Sequence, residues 1–177
     1  MVHAIRAGRR HRKYVVVVYE EVLVALAHAN VRFIVTGGVA VALHGFTRSV
    51  PDLDIVVDPA PQNLDAVMTC LARLGFWPTL PLPLSLVVVM RTVNTAGQEV
   101  DINRIYPVPF PELLARAAHV AVSGHDIAVI SRADLIAVKQ QRNRDYDQDD
   151  VRPRIELDDS HSGKRSHHAA GAAARIL

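Results

Sequence analysis

The sequence predicts an α/β (α+β) domain with a small mixed β-sheet flanked by helices. Three observations predict this class. Helical and strand patterns alternate along the chain, in the order helix, strand, helix, strand, helix, strand pair, helix. Hydrophobic residues make up 50% of the 177 residues, which is enough for a core at this size. Aromatic residues are only 5%, so the core must consist mostly of valine, leucine, isoleucine and alanine.

The first half of the chain is predicted to contain three helices and two strands. They are, in order, the helix YEEVLVALAHAN at 19–30, the strand VRFIVTG at 31–37, the helix VAVALHG at 39–45, the strand DLDIVV at 52–57 and the helix QNLDAVMTCLARLGF at 62–76. The helices show the i, i+3, i+4 spacing of apolar residues, and the strands are short apolar runs. Gly37 and Gly38 provide the turn between the first strand and the second helix, and Gly75 fits a helix end.

The second half is predicted to form a hairpin, a helix, a short strand and a last helix or broken pair of helices. These elements cover SLVVVMRTV at 85–93 with EVDINRI at 99–105, PFPELLARAAHVAV at 109–122, IAVIS at 127–131 and residues 132–152. The preceding segment WPTLPLPL is rich in proline and is predicted to be a loop.

Composition divides the chain into one domain with two tails. Residues 1–13 are polar and basic and are predicted to be a disordered tail, whereas residues 14–152 form the domain. Residues 153–177 lack a sustained apolar period and are predicted to be a second disordered tail.

The bulk properties exclude few functions but fix the expected compartment. The formal charge is +2 and the pI about 8.9, which permits an acidic substrate such as a nucleotide or RNA without requiring one. Cys70 is the only cysteine, so no intrachain disulfide is possible, and its apolar helical context predicts a small core residue. No stretch approaches the roughly 20 apolar residues that cross a membrane. We expect a cytoplasmic protein without membrane contact.

Two aspartates that follow a glycine pair give the strongest local signal. Asp52 and Asp54 are two residues apart in a predicted strand, so their side chains project from the same face, roughly 7 Å apart. Two carboxylates that close repel each other unless a cation lies between them, and Mg²⁺ prefers oxygen ligands together with substrate phosphates. Gly37 and Gly38 let the backbone approach a phosphate closely at a helix start. The combination predicts a site for a metal-bound nucleoside triphosphate.

A third carboxylate is available on the fourth predicted strand. Val100 and Ile102 would face the core, which leaves Asp101 on the opposite side with Glu99 and Asn103. If this strand neighbours the strand at 52–57, Asp101 joins the aspartate pair. Three carboxylates are able to hold two metal ions roughly 4 Å apart, an arrangement that aligns an attacking oxygen with a phosphate.

Two other uses of an Asp-x-Asp pair do not fit the surrounding residues. In haloacid-dehalogenase-like phosphatases the pair follows an apolar strand, whereas here the pair precedes the apolar residues Ile55, Val56 and Val57. A calcium loop needs oxygen ligands at alternate positions, a central glycine and a closing glutamate. The segment DLDIVVDPAP has apolar residues where those ligands would be.

The segment FIVTGGVAVALHGFTRSVPDLDIVVD resembles motif I of the DNA-polymerase-β-like nucleotidyltransferase superfamily. With Ala40 and Leu43 after the glycines and Arg48 before DLD, the pattern is most similar to the abortive-infection and minimal nucleotidyltransferase toxins of bacteria. The segment VISRADLIAVK resembles a later motif of that group, and RNRDYDQDDV resembles its Arg-x-x-Asp-x-x-Asp helix. The resemblance covers about residues 20–152 and implies the polymerase-β-like nucleotidyltransferase fold.

The resemblance also implies roles for individual residues. The metal ligands would be Asp52, Asp54 and Asp101, and Asp101 would also be a candidate general base. Lys139 would contact phosphate and take part in catalysis. The remaining nucleotide-binding residues would be Gly37, Gly38, Arg48 and Asp147, with Asp145 as the alternative to Asp147.

The activity implied is a Mg²⁺-dependent nucleotidyltransferase with two metal ions. Such an enzyme transfers a nucleoside monophosphate from an NTP to an acceptor and releases pyrophosphate. The group resembled most implies the toxin of a toxin–antitoxin system, with tRNA or another macromolecule as acceptor and a cognate antitoxin as partner. Two alternatives stay open, a small-molecule (antibiotic) nucleotidyltransferase and a non-catalytic binding subunit with the same fold.

Overall fold

A computed structural model describes residues 12–46 and 50–142, with side chains from Tyr19 to Gln141 apart from residues 47–49. The two predicted tails lie outside the described residues, except that the first helix begins at Arg12, within the segment predicted as the N-terminal tail. The chain consists of two compact units, Met1–Leu135 and Ile136–Leu177. Every strand described below belongs to the first unit, and the described part of the second is the end of the last helix.

The described residues form five α-helices, seven strands and one short 3₁₀ helix. The helices are α1 (Arg12–His28), α2 (Gly37–Leu43), α3 (Pro61–Arg73), α4 (Phe110–Arg116) and α5 (Arg132–Arg142). The strands are β1 (Phe33–Thr36), β2 (Asp52–Val57), β3 (Trp77–Pro78), β4 (Val89–Val93), β5 (Glu99–Asn103), β6 (Ala118–Val122) and β7 (His125–Val129). The 3₁₀ helix covers Leu84–Leu86. The order of helices and strands confirms the predicted mixed α/β class.

The strands form a single mixed sheet in the order β3-β4-β5-β2-β1-β7-β6. Strands β2 and β5 pair in parallel, as do β1 and β7, and the other neighbouring pairs are antiparallel. The predicted hairpin is confirmed as β4 and β5, which are joined by residues 94–98. Its turn is closed by the Asn94 side chain, whose Oδ1 accepts hydrogen bonds from the backbone nitrogens of Ala96 and Gln98.

One face of the central strands is lined by hydrophobic core residues. The inward residues of the central strands are Leu53, Ile55, Val57, Val100 and Ile102, and all are fully buried. They form one cluster with apolar side chains of the helices, among them Leu23 and Leu26 of α1, Val39 and Leu43 of α2, and Leu64 and Leu71 of α3. Because successive side chains of a strand point to opposite faces, the residues at 52, 54, 99 and 101 lie on the other face, which also carries the buried Ile34 and Val56.

Three predicted elements are wrong in part, one of them being the loop predicted at 77–84, whose first two residues form β3. The helix predicted over 109–122 ends at Arg116, and Ala118–Val122 is instead β6, whose buried residues alternate at Val120 and Val122. The strand predicted over 85–93 begins only at Val89, because Leu84–Leu86 forms the 3₁₀ helix. The residues of β6 are apolar enough to continue a helix, but pairing with β7 satisfies their backbone groups.

Two simpler expectations concern the core and the membrane. Cys70 is a free cysteine buried within the core cluster, as predicted. None of the helices in the described part of the chain is both long and apolar enough to span a bilayer.

Candidate functional site

The strand register brings the predicted carboxylates together on one face of the sheet. Asp54 of β2 lies opposite Thr36 of β1 on one side and opposite Asp101 of β5 on the other. Asp101 in turn lies opposite Arg91 of β4. Paired residues on neighbouring strands point to the same face, with strands about 4.8 Å apart. The row Thr36, Asp54, Asp101 and Arg91 therefore crosses four strands, and the predicted proximity of Asp101 to Asp54 is found.

A second row lies one step along the same strands. Asp52 pairs with Glu99, Glu99 with Val93, and Val93 with Trp77 of the edge strand β3. Trp77 is 62% exposed. We call the residues Asp52, Asp54, Glu99, Asp101 and Arg91 the carboxylate face. It carries four acidic groups against one guanidinium, which makes it locally acidic although the chain as a whole has a formal charge of +2.

Gly37 lies directly against Asp54. It has a φ of +61°, in the left-handed region that favours glycine. A Cβ at this position would overlap the Asp54 carboxylate and would come within 2.8 Å of Asp54 Cβ. The turn from β1 into α2 thus needs a glycine for two reasons, its backbone conformation and its contact with Asp54. The Thr36 hydroxyl, which precedes this turn, lies 2.8 Å from the Tyr106 hydroxyl instead of capping α2.

Arg91 holds the third carboxylate in a two-point ion pair. Its Nε donates to Asp101 Oδ1 and its Nη2 donates to Asp101 Oδ2, each at 2.8 Å. Its Nη1 lies 3.1 Å from Glu99 Oε2. The hydrogen bonds and charge of Asp101 raise the pKa of the Arg91 guanidinium, burial opposes this shift, and the charges of Glu99 and Asp52 raise the pKa further. The guanidinium is therefore a permanent positive charge within the carboxylate face.

Tyr19 forms a hydrogen bond with the residue that precedes β2. This buried residue of α1 donates its hydroxyl hydrogen to the carbonyl oxygen of Pro51 at 2.7 Å. Burial raises the pKa of the Tyr19 phenol, a backbone hydrogen bond with Glu99 opposes that shift, and the charges of Asp52, Glu99 and Asp101 raise it further. The phenol thus stays protonated and remains a hydrogen-bond donor beside the first carboxylate.

The other predicted site residues belong to the helices α2 and α5 or fall outside the described residues. Gly38 is buried in the first turn of α2. Lys139 lies on α5, in the second unit, where its side chain is buried at 8% exposure. Arg48, Asp145 and Asp147 all fall outside the described residues. Their roles in nucleotide binding remain predictions.

The carboxylate face offers the oxygen donors that suit a hard cation, and the number of ions it holds remains a prediction. Its donors are all carboxylate oxygens, which Mg²⁺ prefers, and Asp52 with Asp54 supplies the usual one or two protein ligands. Among the described residues, however, no three acidic, histidine or cysteine side chains converge closely enough to hold a metal. Both oxygens of Asp101 accept hydrogen bonds from Arg91 in this arrangement. Asp52 and Asp54 are suited to bind a metal ion whose remaining ligands come from substrate phosphates. Asp101 would become a further ligand only after its hydrogen bonds to Arg91 break.

His44 is a buried structural residue at the end of α2. Its Nε2 lies 2.8 Å from the carbonyl oxygen of Ile130, so Nε2 carries the proton and donates. Its Nδ1 has no hydrogen-bond partner among the described residues. Burial lowers the pKa of His44, the bond to Ile130 opposes this, and the positive charge of Arg132 lowers the pKa further. The histidine is therefore neutral in the folded protein.

Acidification should destabilise the protein through His44. The unfolded chain binds a proton near pH 6.5, whereas folded His44 binds one only at lower pH, so its contribution is complete above pH 6.5 and is lost below it. One such group changes the free energy of unfolding by at most about 1.4 kcal/mol per pH unit. We expect a His44→Gln variant to lose less stability than the wild type between pH 7.5 and 5.0 in urea unfolding. Equal losses would show that folding does not lower the pKa of His44.

Three residues of this region were not identified from sequence. A signal for Arg91 was present, because the predicted hairpin with its five-residue connection at 94–98 places residue 91 opposite Asp101. Tyr19 and Trp77 had no local signal. The first contacts the site from a helix about 30 residues away in the chain, and the second lies in a proline-rich segment predicted as a loop.

Comparison with known proteins identifies the fold. No family model matches the chain, and no curated protein matches its sequence. A Thermotoga maritima protein assigned to the nucleotidyltransferases superposes with a TM-score of 0.55 at 18% identity, covering 91% of this chain and 97% of that protein. The lincosamide antibiotic adenylyltransferase LnuA, solved with lincomycin bound, superposes with a TM-score of 0.54 at 15% identity, covering 83% and 96%. The antibiotic-resistance factor ANT(2'')-Ia gives 0.52 at 15% identity, covering 81% and 76%. The chain therefore has a nucleotidyltransferase fold, as the resemblance implied.

Proposed function

We propose that this protein is a Mg²⁺-dependent nucleotidyltransferase that transfers a nucleoside monophosphate from an NTP to an acceptor and releases pyrophosphate. One observation carries the proposal. Asp52 and Asp54 project from one strand, Asp101 lies beside Asp54 on the next, and Gly37 contacts the Asp54 carboxylate from the adjoining turn. A structural role alone does not require three carboxylates on one face, because like charges at this spacing repel each other.

Each residue would have a defined task. Asp52 and Asp54 would hold the metal, which when bound neutralises phosphate charge and orients the attacking oxygen. Gly37 allows the Asp54 carboxylate to lie directly against the turn into α2, because a Cβ at position 37 would overlap that carboxylate. Lys139 would supply a point charge to a phosphate. Asp101 would accept the proton of the attacking hydroxyl once its bonds to Arg91 are broken.

For the acceptor, we propose tRNA or another cellular RNA, with the protein acting as a toxin whose partner is a cognate antitoxin. The resemblance of the motifs at 33–58 and 129–139 supports this assignment. The exposed Trp77, which lies on the same sheet face as Asp52, supports it as well. An exposed aromatic ring provides a stacking surface for an unpaired base, worth roughly 1–3 kcal/mol per base.

A small antibiotic is the second candidate acceptor. The carboxylate face is acidic, which repels a phosphate backbone and attracts an amine-bearing molecule. Large apolar side chains are also exposed close to it, including Val89 on the same strand as Arg91 and Trp77 on the edge strand. Two of the proteins with the same fold are antibiotic-modifying or resistance factors. A non-catalytic binding subunit with the same fold is the third candidate. A protein that binds NTP but transfers no nucleotide would favour it.

Acceptor and nucleotide can be identified in one experiment. The protein would be incubated with Mg²⁺ and each α-³²P-labelled NTP, in parallel with total cellular RNA and with a panel of lincosamides and aminoglycosides. We expect label in RNA, pyrophosphate release, and neither product with an Asp52→Asn variant. Label in an antibiotic would replace the RNA acceptor with the second candidate. No transfer to either class, together with measurable NTP binding, would favour the binding subunit.

A further inference from the structure

Arg91 and Asp101 form a two-point ion pair within the carboxylate face. Both carboxylate oxygens accept a hydrogen bond from the same guanidinium, and a further guanidinium nitrogen lies 3.1 Å from Glu99. Two-point pairing of this kind is stronger and more directional than a contact through a single nitrogen. The Asp101 side chain is 12% exposed, whereas that of Arg91 is 47% exposed. The carboxylate is thus largely buried, and the guanidinium is the partner that solvent and a ligand can reach.

A divalent cation and Arg91 compete for the same oxygens. A metal ion bound to Asp101 would lie next to the Arg91 guanidinium, and these two positive charges would repel each other. The charge of Arg91 also reaches Asp52, which contributes to the raised pKa of the guanidinium. Arg91 therefore lowers the affinity of the whole carboxylate face for a cation, not only the affinity of Asp101.

We propose that Arg91 is a positioning residue that acts as an internal counter-ion, holding Asp101 away from metal until a nucleotide binds. The inference rests on the proposed function. The triphosphate offers Arg91 an alternative partner, because a guanidinium binds phosphate oxygens with the same two-point geometry that it uses for a carboxylate. Transfer of Arg91 from Asp101 to the triphosphate frees the third carboxylate at the moment when the substrate is in place. Metal and nucleotide then bind cooperatively.

The same chain contains a matched control for this ion pair. Arg116 donates from Nε and Nη2 to the two oxygens of Asp134, at 3.0 and 2.9 Å. The geometry matches that of Arg91 and Asp101, but the pair joins α4 to the start of α5 and includes no residue of the carboxylate face. Replacement of either arginine by glutamine removes one positive charge and one two-point ion pair. Only the Arg91 change alters the charge of the candidate metal site.

The test measures Mn²⁺ binding to the nucleotide-free protein, through the electron paramagnetic resonance signal of free Mn²⁺. We expect Arg91→Gln to bind Mn²⁺ about tenfold more tightly than the wild type, because a neighbouring cation has been removed. Arg116→Gln should bind as the wild type does. The gain should disappear in the double variant Arg91→Gln with Asp101→Asn. Arg91→Lys should lie between the wild type and Arg91→Gln, because it keeps the charge but loses the two-point geometry.

The results separate this inference from the proposed function. Unchanged Mn²⁺ affinity in Arg91→Gln, in protein shown to be folded by circular dichroism, would overturn the role of Arg91. An equal gain in Arg116→Gln would also overturn it, since the effect would then come from overall charge. If Arg91→Gln does not fold, the Mn²⁺ affinity of Arg91→Lys is compared with that of the wild type. Equal affinities would then overturn the role of Arg91. Nucleotidyl transfer is not measured in this experiment, so an inactive protein would contradict the proposed function and leave the metal result standing.

Discussion

A Gly37→Ala variant should lose both activity and stability. Alanine at a φ of +61° costs roughly 1–2 kcal/mol in backbone strain. The added Cβ would also overlap the Asp54 carboxylate, so the side chain or the turn must shift. Displacement of a metal ligand by about 1 Å is expected to cost a factor of about 100 in rate. We expect activity to fall at least that far in pyrophosphate-release assays, together with a lower free energy of unfolding in urea.

Gly97 provides the control for this prediction. It has a φ of +76°, yet a Cβ there would meet no atom within 4 Å. Gly97→Ala therefore carries the backbone strain without any contact at the site. It should lose a similar amount of stability from strain and retain its activity. If Gly37→Ala were as active as Gly97→Ala, the close approach of Gly37 to Asp54 would have no part in catalysis.

An Asp54→Asn variant should be inactive but folded. Asparagine has nearly the same shape as aspartate but has no charge to bind a metal. A metal contributes several kcal/mol of charge stabilisation to phosphoryl chemistry, and a loss of about 4 kcal/mol corresponds to about a thousandfold in rate. We expect pyrophosphate release to fall by that factor, while the circular dichroism spectrum stays that of the wild type.

The matched control for Asp54 is Asp65, an exposed aspartate on the helix α3. Asp65→Asn makes the same chemical change away from the carboxylate face and should leave activity unchanged. Wild-type rates in Asp54→Asn would remove this residue from the site. A similar loss in both variants would indicate that overall charge, and not a defined ligand, is what matters.

The parts of the fold that sequence predicted well are those fixed by local pattern. β2 was predicted with its observed bounds, because Asp52 and Asp54 alternate with Leu53 and Ile55 as polar and apolar residues must in a strand with one buried face. The helix at 62–76 was predicted nearly as well, because Gly75 has the positive φ that follows many helix ends. In both cases the information lies within a few residues.

The parts that sequence did not predict depend on partners that are distant in the chain or on competing patterns. Whether β5 neighbours β2 decides the position of Asp101, and the two paired aspartates are 47 residues apart in the chain. β6 was predicted as helix because its small apolar residues fit either structure. The hairpin with β7 depends on the turn at Ser123 and Gly124, both of which have positive φ. Pairing across that turn outweighs the weak helical pattern.

Arg91 shows why the chemistry of the site was harder to predict than its location. The carboxylates were identified from their spacing, but their availability depends on a side chain from the opposite strand of a hairpin. The ion pair adds a feature that spacing does not predict, because both oxygens of the third carboxylate are held by a counter-ion. Spacing alone predicts which groups lie together, whereas the partner of each group determines what it can bind.

The fate of each phosphate of the NTP tests the central claim most directly. The protein would be incubated with Mg²⁺ and acceptor, once with α-³²P-labelled and once with γ-³²P-labelled nucleotide. A nucleotidyltransferase places the α-label in the acceptor and the γ-label in pyrophosphate, and Asp54→Asn should do neither. Transfer of the γ-label to the acceptor, or its release as inorganic phosphate without transfer of the α-label, would contradict the proposed activity.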